Sequence, residues 1–225
     1  SHEVNNSVAA SNSLLTSCLV LAQQLPEESR ADLDGALRVV MTRTGQLGAF
    51  MKAFADVVRL PEPRLASCDV NALLEHLCRL MAADAASRGI ALDMSLASIP
   101  SVSLDRMLME QALVNIVKNA IEAVDRGGRV IVRTGMSGTQ PFIQIEDTGP
   151  GLAPEVQAHL FTPFFSTKES GQGIGLTLVQ EILTRHGFAF SLDGPPGGPT
   201  RFTIWMGCEA GNGQPATRNR QDTME

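Results

Sequence analysis

The chain has 225 residues, of which 44% are hydrophobic, and it carries a formal net charge of −6 at pH 7. This composition can fill a hydrophobic core, which excludes wholesale disorder, and no apolar run reaches the roughly 18 residues that a membrane span needs. The acidic balance and the scarcity of aromatic residues argue against nucleic-acid binding, and the lack of a signal peptide or CxxC pair predicts a cytoplasmic segment without membrane contact.

Residues 1–62 are predicted to form a helical hairpin that dimerises. Apolar and small residues recur there at alternating spacings of four and three, which is the heptad pattern of a helix seam. The first seam consists of Val4, Val8, Ser11, Leu15, Cys18, Ala22 and Leu25. The second consists of Leu33, Leu37, Val40, Thr44, Leu47, Met51, Phe54 and Val58. Two apolar stripes cannot enclose a core from both sides, so we predict that two copies pair into a four-helix bundle.

Residues 65–207 are predicted to form a compact α/β domain. Three helices are expected, at Val70–Ser87, Leu104–Val124 and Leu176–His186. Five strands are expected, at Ala91–Leu96, Val130–Thr134, Phe142–Glu146, Phe188–Leu192 and Arg201–Met206. Asp69 is the expected N-cap of the first helix, and His186 is interpreted as a cation at the C-terminus of the last.

Two amide side chains interrupt the predicted helix 104–124. Asn115 and Asn119 lie one turn apart, with Lys118 beside them. Asparagine has poor helix propensity, so two at this spacing indicate a polar site, although a solvent-facing surface would also accommodate them.

Glycines follow an acidic residue at one place and open a helix at another. Asp147 ends a predicted strand and precedes Gly149 and Gly151, which places a carboxylate acceptor where a ligand can approach the backbone, although a surface turn is the alternative. The second cluster is Gly171, Gly173, Gly175 and Leu176, preceded by a segment that contains Phe161, Phe164, Phe165 and Lys168. Glycines at a helix N-terminus suit phosphate binding, but this spacing also occurs in dinucleotide and kinase loops.

In order along the chain, five motifs resemble those of bacterial two-component sensor histidine kinases. They are HEVNN at 2–6, NIVKNA at 115–120, DTGPG at 147–151, FTPFF at 161–165 and GQGIGL at 171–176. The resemblance covers residues 1–207 and leaves 208–225 as a tail that we expect to be disordered. It implies an α+β chain, in which a dimeric antiparallel hairpin precedes an α/β sandwich of the GHKL (Bergerat) ATPase type.

The resemblance also implies an ATP site with magnesium. It assigns the metal to the side-chain oxygen of Asn119 and the adenine amino group to Asp147. Segment 152–170 would be a lid over the nucleotide, with Lys168 reaching a phosphate. The full set of implied ATP-binding residues is Asn115, Lys118, Asn119, Asp147, Gly149, Gly151, Lys168, Gly171, Gly173, Gly175, Leu176 and Thr200.

For the hairpin, the resemblance implies phosphoryl transfer. His2 would attack the γ-phosphorus of ATP, and Glu3 would act as general base or orient the imidazole. The phosphoryl group would then pass to an aspartate of a separate response regulator. Asn6 would position a hydrolytic water for a phosphatase reaction on that regulator. His2 stands only one residue after the start of the chain, so we expect the chain to be a fragment of a longer kinase.

Two other functions remain open from the sequence. Other GHKL ATPases carry a glutamate base four residues before the magnesium-binding asparagine, whereas this chain has Asn115 there, which disfavours hydrolysis. A nucleotide-binding dimeric scaffold without kinase activity is the second alternative, and the intact Asn119 and Asp147 disfavour it.

Overall fold

The computed structural model describes residues 2–24, 27–163, 165–168 and 173–207. These residues divide into two compact units, each considered by itself. The first contains the chain up to Leu60 with the described part of 163–174, and the second contains 61–162 and 175–207. In the described part of the chain, no helix combines the length and apolar character needed to cross a membrane.

The first unit is built on two long helices, α1 (His2–Ala22) and α2 (Glu27–Val58), which pack against each other as a hairpin. The α1 side that faces α2 is marked by half-buried or buried side chains at Asn12, Leu15, Leu19 and Ala22. On α2 the corresponding side is Asp34, Leu37, Met41, Thr44, Gly48, Met51 and Ala55. The helices and their heptad spacing are as predicted, but the packed face is rotated from the predicted seam.

Each helix also carries an apolar stripe that is solvent-exposed in the single chain. On α1 the exposed stripe consists of Leu14, Cys18 and Leu21, of which only Cys18 belongs to the predicted seam. On α2 the exposed stripe consists of Leu33, Val40 and Leu47, which all belong to the predicted seam. At 3.6 residues per turn, each exposed stripe lies roughly a quarter turn from the packed face. The rotation has the same sense on both antiparallel helices, so both stripes lie on one side of the hairpin.

Two polar oxygens are enclosed in the hairpin. Oδ1 of Asn12 and Oδ1 of Asp34 have no hydrogen-bond partner among the described residues. We expect Asn12→Leu to raise the free energy of opening of α1 by about 1 kcal/mol, because it removes a desolvated, unpaired acceptor. Hydrogen exchange of the α1 amides measures this change. The exposed neighbour Ser13→Leu is the control, and equal protection in both variants would contradict the prediction.

The second unit combines four helices and seven strands in its described residues. The strands are β1 (Ala66–Cys68), β2 (Ala91–Leu96), β3 (Val102–Leu104), β4 (Arg129–Ser137), β5 (Gln140–Asp147), β6 (Ala189–Asp193) and β7 (Thr200–Trp205). The helices are α3 (Val70–Ser87), α4 (Arg106–Ala123), α5 (Pro154–Gln157) and α6 (Gly175–Arg185). Asp69 caps α3 as predicted, since its side chain accepts the N–H of Ala72.

A mixed five-stranded sheet, in the order β2-β4-β5-β7-β6, forms one layer of this unit. β2 and β4 are parallel and the other pairs are antiparallel. Burial alternates along β5, where Ile143, Ile145 and Asp147 point to the buried face, and α3, α4 and α6 all contact the sheet or each other. The second unit is thus a two-layer α/β sandwich, which confirms the predicted fold class.

Two short strands were missed by the sequence analysis. β1 and β3 pair antiparallel, with Ala66 opposite Leu104. Leu104 therefore belongs to a strand, and α4 begins two residues after the predicted start. A strand of three residues carries too little alternation to be recognised without its distant partner.

Candidate functional site

The long helix α4 carries the two predicted amides on one side. Asp105 begins it, accepting the N–H groups of Met107 and Leu108 on Oδ1. One turn separates Asn115 from Asn119, and another separates Asn119 from Ala123, so the three share a face. This face is where α4 meets the two glycine-containing turns.

Asn115 lies against the start of α6. Its Nδ2 donates to the carbonyl of Gln111 at 2.9 Å, so the amide is held by its own helix. Its Oδ1 lies only 3.1 Å from the place where a Cβ on Gly175 would stand. Glycine at 175 therefore allows the N-terminus of α6 to approach α4 closely, and that N-terminus presents N–H groups to an anion.

Asp147 ends β5 as a buried carboxylate that is only 5% exposed. Its Oδ1 accepts the N–H of Gly149 at 2.9 Å, and Thr200 lies opposite on β7, where its hydroxyl and N–H act to lower the pKa of the carboxyl. Burial raises the pKa of Asp147 above its ordinary value, against the lowering effect of these three donors. The group is a fixed, oriented acceptor at the end of the strand.

The glycines after Asp147 are required by the packing of the chain itself. A Cβ on Gly149 would lie 2.7 Å from Oδ1 of Asp147 and 2.8 Å from the carbonyl oxygen of Ala123. Gly151 has φ +75°, and a Cβ there would lie 2.0 Å from the carbonyl oxygen of Pro195. The turn is thereby pressed against the last turn of α4, beside an open cleft of about 290 Å³.

Asn119 lies midway between these two close approaches. Asn115 next to Gly175 and Ala123 next to Gly149 are eight residues apart, or about 12 Å along the helix. Among the described residues, the half-buried amide of Asn119 makes no hydrogen bond, so its oxygen can serve as a ligand. An extended polar molecule would thus find an anion-binding helix end, an amide oxygen and a buried carboxylate in sequence along α4.

The other predicted site residues have different settings. Lys118 is exposed and lies 3.9 Å from Glu122 across one turn, and Leu176 is half-buried in the first turn of α6. Lys168 and Gly173 belong to the first unit, where the N–H of Lys168 donates to Oγ of Ser166 at 3.1 Å. Gly171 lies outside the described residues.

The predicted phosphotransfer residues lie in the first two turns of α1. His2, Glu3 and Asn6 all belong to this helix, and their side chains lie outside what the structure describes.

One aromatic residue of the predicted lid contacts the sheet. The ring of Phe161 meets that of Phe190 edge-on with centroids 5.4 Å apart, and Phe190 stacks on Phe202 at 6.0 Å. Phe161 is therefore anchored on the sheet through Phe190 of β6, which in turn stacks on Phe202 of β7.

The interpretation of His186 as a helix-end cation is wrong. The side chain is buried, its Nε2 accepts the N–H of Asp105 at 3.0 Å, and its Nδ1 lies 2.7 Å from the carbonyl oxygen of Ile182. Because Nε2 accepts the hydrogen bond from the N–H of Asp105, the ring is in its Nδ1–H tautomer and donates to the carbonyl of Ile182. Asp105 was not predicted as a cap, although an aspartate directly before an amphipathic run is a recognisable N-cap signal.

Comparison with known proteins identifies this arrangement. Residues 104–209, which include α4, Asp147 and α6, match the family model described as Histidine kinase-, DNA gyrase B-, and HSP90-like ATPase. Among the described residues, no group of three His, Cys, Asp or Glu side chains is placed to hold a metal. The fold and the site define an ATPase-type nucleotide-binding domain.

Similarity extends over both units. The chain is 33% identical over 210 residues to the C4-dicarboxylate transport sensor protein DctS of Rhodobacter capsulatus, covering 91% of this chain and 32% of that protein. It matches the structure of full-length ShkA in complex with AMPPNP with a TM-score of 0.65 and 25% identity, covering 93% of this chain and 47% of ShkA. It also matches the fold of histidine kinase ThkA in complex with response regulator protein TrrA, with a TM-score of 0.65 and 19% identity, over 92% of this chain and 60% of that one.

The chain is similar over both units to sensor histidine kinases, and its residues 104–209 match the ATPase family model. It spans less than half the length of DctS and of ShkA.

Proposed function

We propose that this chain transfers the γ-phosphoryl group of ATP to His2 and then to an aspartate of a response regulator. The observation that carries the proposal is the placement of Asn119 between the N-terminus of α6 and the Asp147 turn, on the same chain as a helix that begins His2-Glu3-Val4-Asn5-Asn6. The similarity to DctS supports the kinase class.

Each end of α4 would hold one end of the nucleotide. Asp147 would accept the amino group of adenine, with Gly149 and Thr200 keeping its carboxylate in place. The N–H groups at Gly175 and Leu176 would bind phosphate oxygens. Asn119 would hold magnesium together with those phosphates, because Mg²⁺ prefers oxygen ligands and is often bound through substrate phosphates. The ion would offset the charge that develops on the leaving phosphates.

The first step would transfer the γ-phosphoryl group from ATP to His2. Nε2 of His2 forms a bond to the γ-phosphorus as the bond to the bridging oxygen breaks and ADP leaves. If Glu3 acts as the general base, it takes the proton that the imidazole carries on Nδ1; if Glu3 only orients the ring, that proton stays on Nδ1 of the phosphorylated imidazole. The phosphoryl group then moves from His2 to a carboxylate oxygen of the regulator. These steps require ATP and a diffusible regulator, so we place the chain in the cytoplasm.

A phosphatase activity toward the regulator is part of the proposal. Asn6 follows His2 by one helical turn, so its amide can share a face with the phosphohistidine and orient a water. That the neighbour ThkA was crystallised with response regulator TrrA supports a regulator as partner. Asn6→Ala should then abolish regulator dephosphorylation and spare phosphorylation of His2.

We infer that the chain works as a homodimer. The exposed apolar residues Leu14, Leu21, Leu33, Val40 and Leu47 lie on one side of the hairpin, where a second hairpin would cover them. Covering this side would complete a four-helix bundle.

Val40→Lys is expected to weaken dimerisation at least about tenfold, because it places a charge in the covered stripe. Val39→Lys is the matched control, since Val39 is exposed on the outer face of α2 and is not part of the stripe. Sedimentation equilibrium measures both. A wild-type chain that is monomeric at micromolar concentration would refute the dimer.

Hydrolysis of ATP by a general base four residues before Asn119 is the competing function. The residue there is Asn115, whose amide has no basic site and donates its Nδ2–H to Gln111. This contact supports phosphotransfer over hydrolysis.

The test is incubation of the chain with γ-labelled ATP and magnesium. We expect acid-labile, base-stable label that is lost in His2→Ala, while nucleotide binding by that variant is retained. Label on serine, or release of free phosphate alone, would contradict the proposal.

A further inference from the structure

A cluster of buried and paired polar groups lies at the ends of α4 and α6 opposite to the nucleotide site. α4 begins at Asp105 and reaches Asn119 after about four turns, whereas α6 begins at Gly175 and ends at Arg185. The two helices pack against each other. A shift at this end of the pair therefore alters the distance between Asn119 and the N-terminus of α6.

Segment 61–65, which follows α2 in the chain, is bound to this cluster. Oδ2 of Asp105 accepts the N–H of Arg64 at 2.9 Å, while Oδ1 serves the cap of α4. Arg185 pairs with Glu181 at 2.7 Å and lies 3.6 Å from Glu62. One carboxylate and one guanidinium thus connect the segment to both helices.

His186 joins the two helix ends. It follows α6 directly, accepts the N–H of Asp105 on Nε2 and donates to Ile182 from Nδ1, with the ring of Phe188 at 5.4 Å. Both ring nitrogens are used, so the imidazole fixes the backbone of Asp105 against the last turn of α6. Burial acts to raise the pKa of Asp105, but the N–H groups of Arg64, Leu108 and Met107 outweigh it and lower the pKa. The carboxylate is therefore ionised and its hydrogen bonds are charge-assisted.

We propose that Asp105, Arg185 and His186 form a latch that couples the position of segment 61–65 to nucleotide binding between α4 and α6. Asp105 and His186 are positioning residues, since they act through the helices and touch no part of the nucleotide site. The latch rests on the proposed ATP binding. Because coupling is reciprocal, a nucleotide that fixes α4 against α6 also tightens the hold on segment 61–65.

Asp105→Asn separates the latch from the cap. Asparagine is as good an N-cap as aspartate. The N–H groups of Met107 and Leu108 would orient the side-chain oxygen of the new asparagine toward α4, because they need an acceptor. The amide nitrogen then faces the N–H of Arg64, donor against donor. Asp69→Asn is the matched control, because Asp69 caps α3 through Oδ1 and is not part of the latch.

The experiment measures hydrogen exchange of the Arg64 amide and, on the same samples, the affinity for a non-hydrolysable ATP analogue. In the wild type, saturating analogue should slow exchange of this amide several-fold. In Asp105→Asn, exchange should be roughly tenfold faster, insensitive to the analogue, and accompanied by weaker analogue binding. Asp69→Asn should match the wild type. His186→Leu should behave as Asp105→Asn, and His186→Gln, which keeps an acceptor near Nε2, should restore part of the protection.

Two outcomes would overturn the latch. If the wild type binds the analogue and exchange at Arg64 does not change, there is no coupling, although the proposed ATP binding stands. If Asp105→Asn keeps both the protection and its response to the analogue, Asp105 does not hold the segment. A wild type that binds no analogue at all would overturn the proposed function and the coupling together.

Discussion

Asp147→Asn is expected to weaken ATP binding about 10- to 100-fold, the loss that corresponds to one charge-assisted hydrogen bond. Three groups already act on this carboxylate, namely the N–H of Gly149, which donates to Oδ1, and the N–H and hydroxyl of Thr200 on β7. The adenine amino group would be a fourth donor. An amide offers a single oxygen and adds a donor of its own, so the site loses its acceptor for the base. Titration with a fluorescent ATP analogue measures the change.

Glu146→Gln is the matched control for this substitution. Glu146 is the preceding residue of β5 and points to the other face, where it pairs with Arg133 and Arg201. Burial acts to raise its pKa, but the two arginines outweigh it, and the pKa of Glu146 is lowered. Its stabilising effect is present above its ordinary pKa and is lost as the pH falls through the lowered one. Glu146→Gln should therefore lose stability at neutral pH and keep its ATP affinity within about twofold.

The pH dependence of binding provides a second check on Asp147. Burial places the pKa of Asp147 above its ordinary value of 3.8. Since only the ionised carboxylate is a full acceptor, affinity should be constant above the raised pKa and fall as the pH drops through it. The free energy of unfolding changes with pH in the opposite sense. It falls as the pH rises from 3.8 to the raised pKa of Asp147, because the buried carboxyl becomes ionised in that range. An Asp147→Asn chain with wild-type affinity and the same pH profile would show that the carboxylate does not bind the base.

Local signals in the sequence were sufficient for most helices. α3 is bounded by the N-cap Asp69 and by Gly89, whose φ is +71°. Each of these helix-end signals involves only neighbouring residues in the sequence, so each is recognisable without the tertiary structure. The amide pair on α4 and the Asp147 turn were also recognisable, because each interrupts a regular pattern with side chains that the element does not need.

Contacts between distant residues were not predictable in the same way. β1 and β3 are three residues each and exist through pairing across the chain, and Asp105 meets His186 at a separation of 81 residues. No local pattern marks the distant partner of a buried histidine, so the helix-end position of His186 suggested a cation. Its fixed neutral tautomer became clear only from its two partners.

The hairpin shows a different limit. Its heptad spacing was correct, but two adjacent faces of each helix share the same period. Leu37, Thr44 and Met51 are half-buried, whereas Val40 and Leu47 are exposed in the single chain. Periodicity therefore predicts that an apolar stripe exists but not which helix covers it. A helix of the same chain and a helix of a second copy both require the same heptad spacing.

Asn119→Ala is expected to reduce labelling of His2 at least about 100-fold, because it removes the one protein oxygen proposed to hold magnesium and a metal clamp is worth several kcal/mol in phosphoryl transfer. The measurement is the initial rate of label incorporation from γ-labelled ATP. The affinity of the nucleotide, with magnesium and with a chelator, should be measured alongside. In the wild type magnesium should tighten binding, and in Asn119→Ala this gain should disappear.

Asn115→Ala separates a role in metal binding from a role in packing. Asn115 lies one turn away on the same face of α4, yet its amide is held by Gln111 and lies against the first turn of α6. Its removal should loosen the approach of α6 to α4 and weaken binding with and without magnesium by the same factor. If the magnesium-dependent gain instead survives Asn119→Ala and is lost in Asn115→Ala, the metal belongs to the other amide. Glycine at position 175 would then be needed for the metal itself, because a Cβ there would lie only 3.1 Å from Oδ1 of Asn115.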